Sequence, residues 1–341
     1  MGESPIPASL QFLNTTESSL QKLLLFSVEC ARLAPTGHNC QPYRFQLGPD
    51  YVDVWTDPSR ILPVIDPDER EMTMSCGVAL FFLRLAFRYR GRCETVEIRP
   101  DPLTPHWMAR VRLGETTSKN EDDSRLFHAM RRRHTNRLPF FPGAVPDGLP
   151  ERLIRAAEQE GGCLQVIGTK SERAATARLV GEGVHAQSGS VAFQKEMDGW
   201  SPRLRKNGTG DIFHHSAEMR GILTHGDMVV TTLNGGEFLA RREQLLATEA
   251  PLLVMLGTVG DTYHDWLNAG QALARVLLLA AASGVNATYL NHPIQVEHLR
   301  PLLQEAIRMQ AHPQLLLAMG YAPAVSTATS RRPLEEILVE A

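Results

Sequence analysis

Two short runs hold residues whose types and spacing could do chemistry. Arg131-Arg132-Arg133-His134-Thr135-Asn136-Arg137 gathers cations around a hydroxyl, and Ser330-Arg331-Arg332-Pro333 repeats the theme near the C-terminus. A guanidinium is planar, permanently charged and able to grip a phosphate through paired hydrogen bonds, and a threonine hydroxyl can add a donor. Taken alone, the first run reads first as a solvated basic helix end, or as a nucleic-acid patch. A third run, Pro35-Thr36-Gly37-His38-Asn39-Cys40-Gln41-Pro42-Tyr43, is rich in turn formers. Its Asn39 and Gln41 can bind a ligand edge or only satisfy their own backbone. Adjacent His214 and His215 cannot share a helix face, and no carboxylate is spaced to complete a site, so no metal is expected. There is no G-x-G-x-x-G or P-loop, so a dinucleotide-binding Rossmann domain is not expected. No Ser-His-Asp or paired-carboxylate signature stands out either.

These residues need elements to position them. Apolar spacing predicts a helix over Ser19–Ala34, ended by Pro35-Thr36-Gly37. Strands are predicted at Tyr43–Leu47 and Tyr51–Trp55 around the turn Gly48-Pro49-Asp50, with a Pro- and Asp-rich loop at Thr56–Arg70. A strongly apolar helix follows at Met72–Tyr89, then strands at Thr95–Arg99 and Met108–Leu113. The polar stretch Gly114–Ser124 is the best boundary, giving a first half over 1–118 and a second over 125–341. Beyond it come a short helix, the arginine run, a helix at Leu149–Glu160 and a strand at Leu164–Gly168. Residues 170–248 are mostly helical in pattern. Then strand Leu252–Gly257, helix Asp265–Ala282, strand Ala287–Leu290 and strand Gln314–Gly320 repeat the earlier order. Cys76-Gly77 stands fourteen residues before Gly91, and Ala269-Gly270 fourteen before Gly284. Two apolar helices, each ended by a glycine and each feeding a strand, suggest an internal duplication in which Leu80 matches Leu273 and Leu85 matches Leu278.

The 341 residues suffice for one large domain or two ordinary ones. A net charge of −3 argues against a broad footprint for nucleic acid or an anionic membrane. Five cysteines without C-x-x-C spacing fit neither a disulfide framework nor a zinc site and read as buried reduced thiols. Met1–Thr16 lacks the basic start and apolar core of a signal peptide, and apolar runs such as Ala272–Ala282 stop short of the ~20 residues a span requires. A cytoplasmic protein is expected.

The third run resembles the P-S-x-x-N-x-Q-P-W segment of the nitroreductase family, with Tyr43 at the tryptophan position. Arg133-His134-Thr135-Asn136-Arg137 resembles the family's opening R-x-S-x-R/K segment, and Ser330–Pro333 its closing basic segment. The helix at 265–282 with Tyr289-Leu290-Asn291 resembles the family's central helix and the loop passing flavin N5. The order of these motifs differs from an ordinary subunit. The first half has the Asn-Gln-Pro segment but no arginine segment before it; the second has the arginine segment and tail but Gly161-Gly162-Cys163 where the Asn-Gln-Pro segment would follow. This order resembles the fused, pseudo-dimer branch found in mycobacterial dormancy-associated proteins.

The resemblance implies an α+β fold of two pseudo-symmetric halves, each with a mixed, mainly antiparallel sheet and long central helices. It implies one FMN site, built where the halves meet. Arg133, Thr135, Arg137 and Arg331 or Arg332 would hold the phosphate. Thr36, Gly37, Asn39 and Gln41 would meet the ring edge, and Tyr289, Leu290 and Asn291 would pass N5. Residues 170–248 read as a cap or lid, with His38, Trp200, Arg203, His214 and His215 as substrate-side candidates. The implied activity is hydride transfer between a nicotinamide or organic donor and a small organic acceptor, with NAD(P)H binding only transiently. The alternative is FMN sequestration beneath a closed lid with little turnover. A monomeric pseudo-dimer or a homodimer is expected.

Overall fold

The computed structural model describes residues 19–200, 235–323 and 329–339. In the first half, α1 (Ser19–Ala31) leads into the hairpin β1 (Tyr43–Leu47) and β2 (Tyr51–Thr56). Gly48 closes the hairpin by donating to the Tyr51 carbonyl at 2.9 Å. Then follow α2 (Arg70–Tyr89), β3 (Arg92–Ile98) and β4 (Trp107–Thr116). The second half holds α3 (Glu121–Ala129), α4 (Leu149–Glu158), β5 (Cys163–Val166), α5 (Lys170–Ser188), α6 (Val191–Gly199) and α7 (Gly235–Glu249). It continues with β6 (Leu252–Thr258), α8 (Tyr263–Ala282), β7 (Asn286–Tyr289), α9 (His292–Gln295), α10 (Leu299–Ala306) and β8 (His312–Gly320). The chain returns to the first half as α11 (Leu334–Ile337) and β9 (Leu338–Val339).

The two sheets have corresponding strand orders, β3-β4-β2-β1-β9 and β5-β6-β8-β7. Reversing the second matches β7 to β3, β8 to β4, β6 to β2 and β5 to β1. The first sheet is mixed because β9 joins β1 in parallel; the described strands of the second pair antiparallel, and Thr135 adds a parallel bridge to Ala287 of β7.

The helices α2 and α8 cross at the centre, and glycine permits the crossing. A Cβ on Gly77 would lie 2.2 Å from the Leu267 carbonyl oxygen, and one on Gly270 would lie 2.0 Å from the Met74 carbonyl oxygen. Met74 and Leu267 each precede their glycine by three residues, so the contact is reciprocal, as a two-fold axis requires. Gly91 and Gly284, which end the helices, both take left-handed φ, +69° and +77°. Helix α2 is apolar nearly all round because it is buried nearly all round; Leu80, Phe81, Phe82, Leu83 and Leu85 have no exposure. By length and composition it alone among the described helices could cross a membrane, yet 83% of its most apolar window is buried inside this fold. One apolar cluster runs from Leu24 and Phe45 through both central helices to Leu317 and Ile337, so the halves share a core.

The structure moves several boundaries. Strand β3 begins at Arg92 and β4 reaches Thr116, so the polar connection shrinks to 117–120. Phe127 of α3 stacks on Tyr89 of α2 at 3.8 Å between centroids, tying the start of the second half to the first. Cysteines 30, 40 and 76 are buried as free thiols; Cys93 is exposed because alternate residues of β3 face outward, and Cys163 in β5 is half-buried.

Candidate anion and cofactor site

The turn after α1 is built under strain. His38, Asn39 and Gln41 adopt left-handed φ of 48°, 53° and 50°. Such residues cost on the order of 1–3 kcal/mol each and persist only where the surroundings fix them. Here the fixing groups are visible. The Thr36 hydroxyl accepts from the Gln41 amide at 3.0 Å. The fully buried Gln41 side chain donates to the Asn39 carbonyl at 3.3 Å and accepts from the Arg332 amide at 2.7 Å. A Cβ on Gly37 would sit 3.2 Å from Glu71 Oε2, so the turn rests directly on the first helical turn of α2.

The tail arginines separate cleanly. Arg332 is 4% exposed, and its guanidinium donates to the Gln41 carbonyl at 3.1 Å, Asp57 Oδ2 at 3.1 Å and the Glu336 carbonyl at 2.9 Å. Burial alone would raise the Asp57 carboxyl, but Ser59, Arg44 and Arg332 outweigh it and hold it below the usual carboxylate range. Arg332 therefore has its counter-charge within the protein, which corrects its assignment to the phosphate. Arg331 turns the other way. Its Nη1 donates to the Thr329 hydroxyl, to the Thr329 and Ser330 carbonyls and to Asn39 Oδ1, its Nη2 donates to the Leu33 carbonyl at 3.3 Å, and it makes no ion pair among the described residues. Its buried Nε has no partner there.

Arg133 is the second such cation. It follows α3, held by a hydrogen bond from its own amide to the Ala129 carbonyl at 2.9 Å. Among the described residues its side chain has neither a hydrogen bond nor a carboxylate, and its Nε is buried and unpartnered. Burial pushes the group down to about 10; Tyr289 opposes the fall and the charge of Arg331 adds to it. Thr135 bridges in parallel to Ala287, and Asn136 donates its amide to the Ala287 carbonyl at 2.8 Å, which seats the arginine run beside β7. Tyr289 is pushed up to about 12 by burial, with Arg133 opposing and Glu71 adding. Thus one residue from the tail, one from the arginine run and one from β7 converge beside Asn39.

His38 is another polar group of the turn with a buried atom. Burial lowers it to about 4, assisted by the charges of His292 and Arg137, so it is neutral at pH 7, and its buried Nδ1 has no partner among the described residues. Beneath it runs a directed chain. Gln295 donates to both Glu71 oxygens, at 3.0 and 3.1 Å; Gln187 donates to Gln295 at 2.9 Å. Gln187 Oε1 faces His292 Nδ1, and His292 Nε2 pairs with Glu243 at 3.0 Å. The two donations from Gln295 to Glu71 align both amides in one direction and leave Gln187 Oε1 to accept from His292 Nδ1. Burial works against a charged His292, but Glu243 and then Glu71 outweigh it and raise the imidazole above its ordinary value.

The remaining sequence candidates divide. Leu290 and Asn291 serve the scaffold: the Leu290 amide donates to the Leu316 carbonyl at 2.9 Å, and Asn291 Oδ1 accepts from the Leu316 amide at 3.0 Å. Gln41 likewise holds the turn and the Arg332 backbone, which corrects its placement at a ligand edge. Trp200, 6% exposed, packs with Cys40, Leu62, Ile65 and Met197, with Arg60 over its ring at 5.4 Å, so it backs the turn. Arg203, His214 and His215 lie outside the described residues. Sequence reading missed Glu71, Gln187, Glu243, His292 and Gln295. They come from four helices, and only His292, directly after Asn291, had a neighbouring signal.

No family model matches the chain. A protein of Mycobacterium tuberculosis provisionally named an NAD(P)H nitroreductase is 28% identical over 312 residues, 89% of this chain and 88% of the relative. The similarly named Acg of the same organism is 27% identical over 323 residues, 91% and 93% of the two chains. The chain is a relative of the mycobacterial nitroreductase-like proteins. A nitroreductase-named protein of Serratia, PigM, is 35% identical over 80 residues, 23% of this chain. Among solved structures, the FMN-dependent nitroreductase NfnB of Mycobacterium smegmatis covers 62% of this chain and aligns over 96% of its own, at 15% identity and a TM-score of 0.40. In this chain the turn carrying Gly37–Asn39 and the run carrying Arg133–Arg137 approach one another, since the charge of Arg137 acts on His38.

Proposed function

We propose that the chain is an FMN-binding, nitroreductase-like oxidoreductase acting on a small organic acceptor. The observation that carries this is a pair of arginines, Arg133 and Arg331, with buried Nε atoms and no carboxylate among the described residues to neutralise them. Such groups are costly unless an anion joins them. The residues fit an FMN phosphate: two guanidinium groups supply charge-assisted donors and Thr135 a hydroxyl. Arg137, with Arg242 donating to its carbonyl at 2.7 Å, extends the positive flank towards His38. Gly37 and Asn39 would meet the pyrimidine edge, and Tyr289 the opposite side. FMN, when bound, supplies hydride transfer at N5 between a nicotinamide or organic donor and the acceptor, with NAD(P)H as a transient donor. Neutral His38 is placed to hydrogen-bond a substrate. The duplicated halves within one chain favour a monomeric pseudo-dimer, with small molecules as partners.

Sequestration of FMN is the second reading. It is favoured by the way the insertion between β5 and β6 is fastened: Glu196 of α6 accepts from the Val64 and Ile65 amides at 3.1 and 2.9 Å. The experiment is purification followed by NAD(P)H addition under anaerobic conditions. A yellow protein that bleaches, and reoxidises with a nitroaromatic or quinone, supports the enzyme; a yellow protein inert to NAD(P)H supports sequestration. Arg133→Ala with Arg137→Ala should release the flavin, and full occupancy in that variant would refute the phosphate assignment.

A further inference from the structure

A cavity lies away from the turn, where α3, α4 and α8 meet. Its volume is about 190 Å³. Each helix offers it a stripe at helical spacing: Asp122, Arg125 and Leu126 from α3; Arg152, Arg155, Ala156 and Gln159 from α4 and its C-cap; Arg275 and Leu279 from α8. The floor of Leu126, Ala156 and Leu279 is buried and apolar, with exposures of 4%, 5% and 8%.

The charges around it do not balance. Arg275 is held by Glu160 at 2.8 Å, and Arg125 by Asp122 at 3.1 Å. Among the described residues, Asp122 is the only carboxylate lining the cavity. Arg152 and Arg155 have no ion pair among those residues, and Arg152 Nε is buried without a hydrogen-bond partner. Two uncompensated guanidinium groups three residues apart on one helix face repel one another, and a doubly charged anion between them removes the repulsion. A small inorganic anion would satisfy the charge but leave the apolar floor wet.

We infer that this cavity is a second binding site, distinct from the Arg133–Arg331 site, for a small organic dianion whose charged head meets Arg152 and Arg155 and whose apolar body covers Leu126, Ala156 and Leu279. The probe is phenyl phosphate, with inorganic phosphate and phenol as the two partial ligands. Calorimetric titration is run on the full chain preincubated with saturating FMN, on the double variant Arg152→Gln/Arg155→Gln, and on Arg133→Ala. Arg155 is exposed and Arg152 half-buried, so the double variant leaves the apolar face of α4 intact, and an unchanged circular dichroism spectrum and melting temperature confirm its fold. The expected result is binding of phenyl phosphate to the starting protein and to Arg133→Ala alike, at least tenfold weaker binding to the double variant, and at least tenfold weaker binding of phosphate or phenol alone. Undiminished binding in the double variant, loss in Arg133→Ala, or phosphate matching phenyl phosphate would each overturn the proposal. The Arg133→Ala arm separates this outcome from a failure of the FMN reading.

Discussion

Arg331 and Arg332 are neighbours in the chain, and their surroundings could hardly differ more. Arg332 enters a region where buried cations meet a buried anion: Asp57, with no exposed surface, takes Arg332 at 3.1 Å and Arg44 at 2.9 Å. Arg331 enters a region where it feels the charges of Arg133 and Arg32, of which only Arg32 has an ion pair among the described residues, to Glu29 at 2.7 Å. The first region is closed electrostatically by the fold itself. The second is left open, and the fold bears the cost. A buried charge paired by the protein is architecture, whereas one left without a counter-charge is where an anion would gain most by binding.

The largest expected effect breaks the closed region. Asp57→Asn leaves Arg332 and Arg44 without their anion and should lower unfolding free energy by about 3–5 kcal/mol in chemical denaturation. A loss below about 1 kcal/mol, the range of an exposed pair, would mean that Arg332 finds another partner. Next, Arg331→Met should weaken FMN binding by about 10- to 100-fold, the worth of charge-assisted hydrogen bonds of about 1.5–3 kcal/mol, while barely changing the melting temperature of the flavin-free protein. Arg332→Met should do the reverse, lowering the melting temperature first. A smaller effect is expected beneath His38. The folded protein raises His292 above its unfolded value, so its contribution to stability is present below the unfolded pKa and is lost as pH rises through the folded one. Glu71, raised chiefly by burial, changes stability in the same direction. Stability should therefore fall as pH rises through that window, and His292→Gln should flatten the slope; an unchanged slope counts against the chain from Glu243 to Glu71. Smallest of all, the exposed pair Arg112–Asp50, 3.3 Å apart, should cost under about 0.5 kcal/mol when Arg112 becomes Met.

Much of the fold was legible because glycine spacing and apolar periodicity are local. Gly77 and Gly270, each standing ahead of a helix-ending glycine at the same spacing, signalled a duplication, and their reciprocal contact is its physical reason. The three candidate runs were legible as runs but not as partners. Nothing in Ser330–Pro333 says which arginine meets Asp57, because that carboxylate stands far earlier in the chain and is brought there by the loop after β2. The chain from Glu243 to Glu71 joins four helices through glutamine amides, residues that carry no sequence signal of their own. Gln41 showed the limit of a motif: it matches the family segment, yet its side chain is wholly occupied in holding the turn and the Arg332 backbone. The two-residue β9 was too short to register as a periodic pattern at all.

The most direct measurement pairs FMN titration with thermal unfolding of the flavin-free protein for Arg133→Met/Arg331→Met. Removing two cations that lack counter-charges should leave the flavin-free melting temperature unchanged or raised, while FMN binding falls by at least about 100-fold. A variant that melts well below the starting protein when flavin-free, or that still binds FMN within a few-fold of it, would show that these arginines serve the fold and that the anion belongs elsewhere.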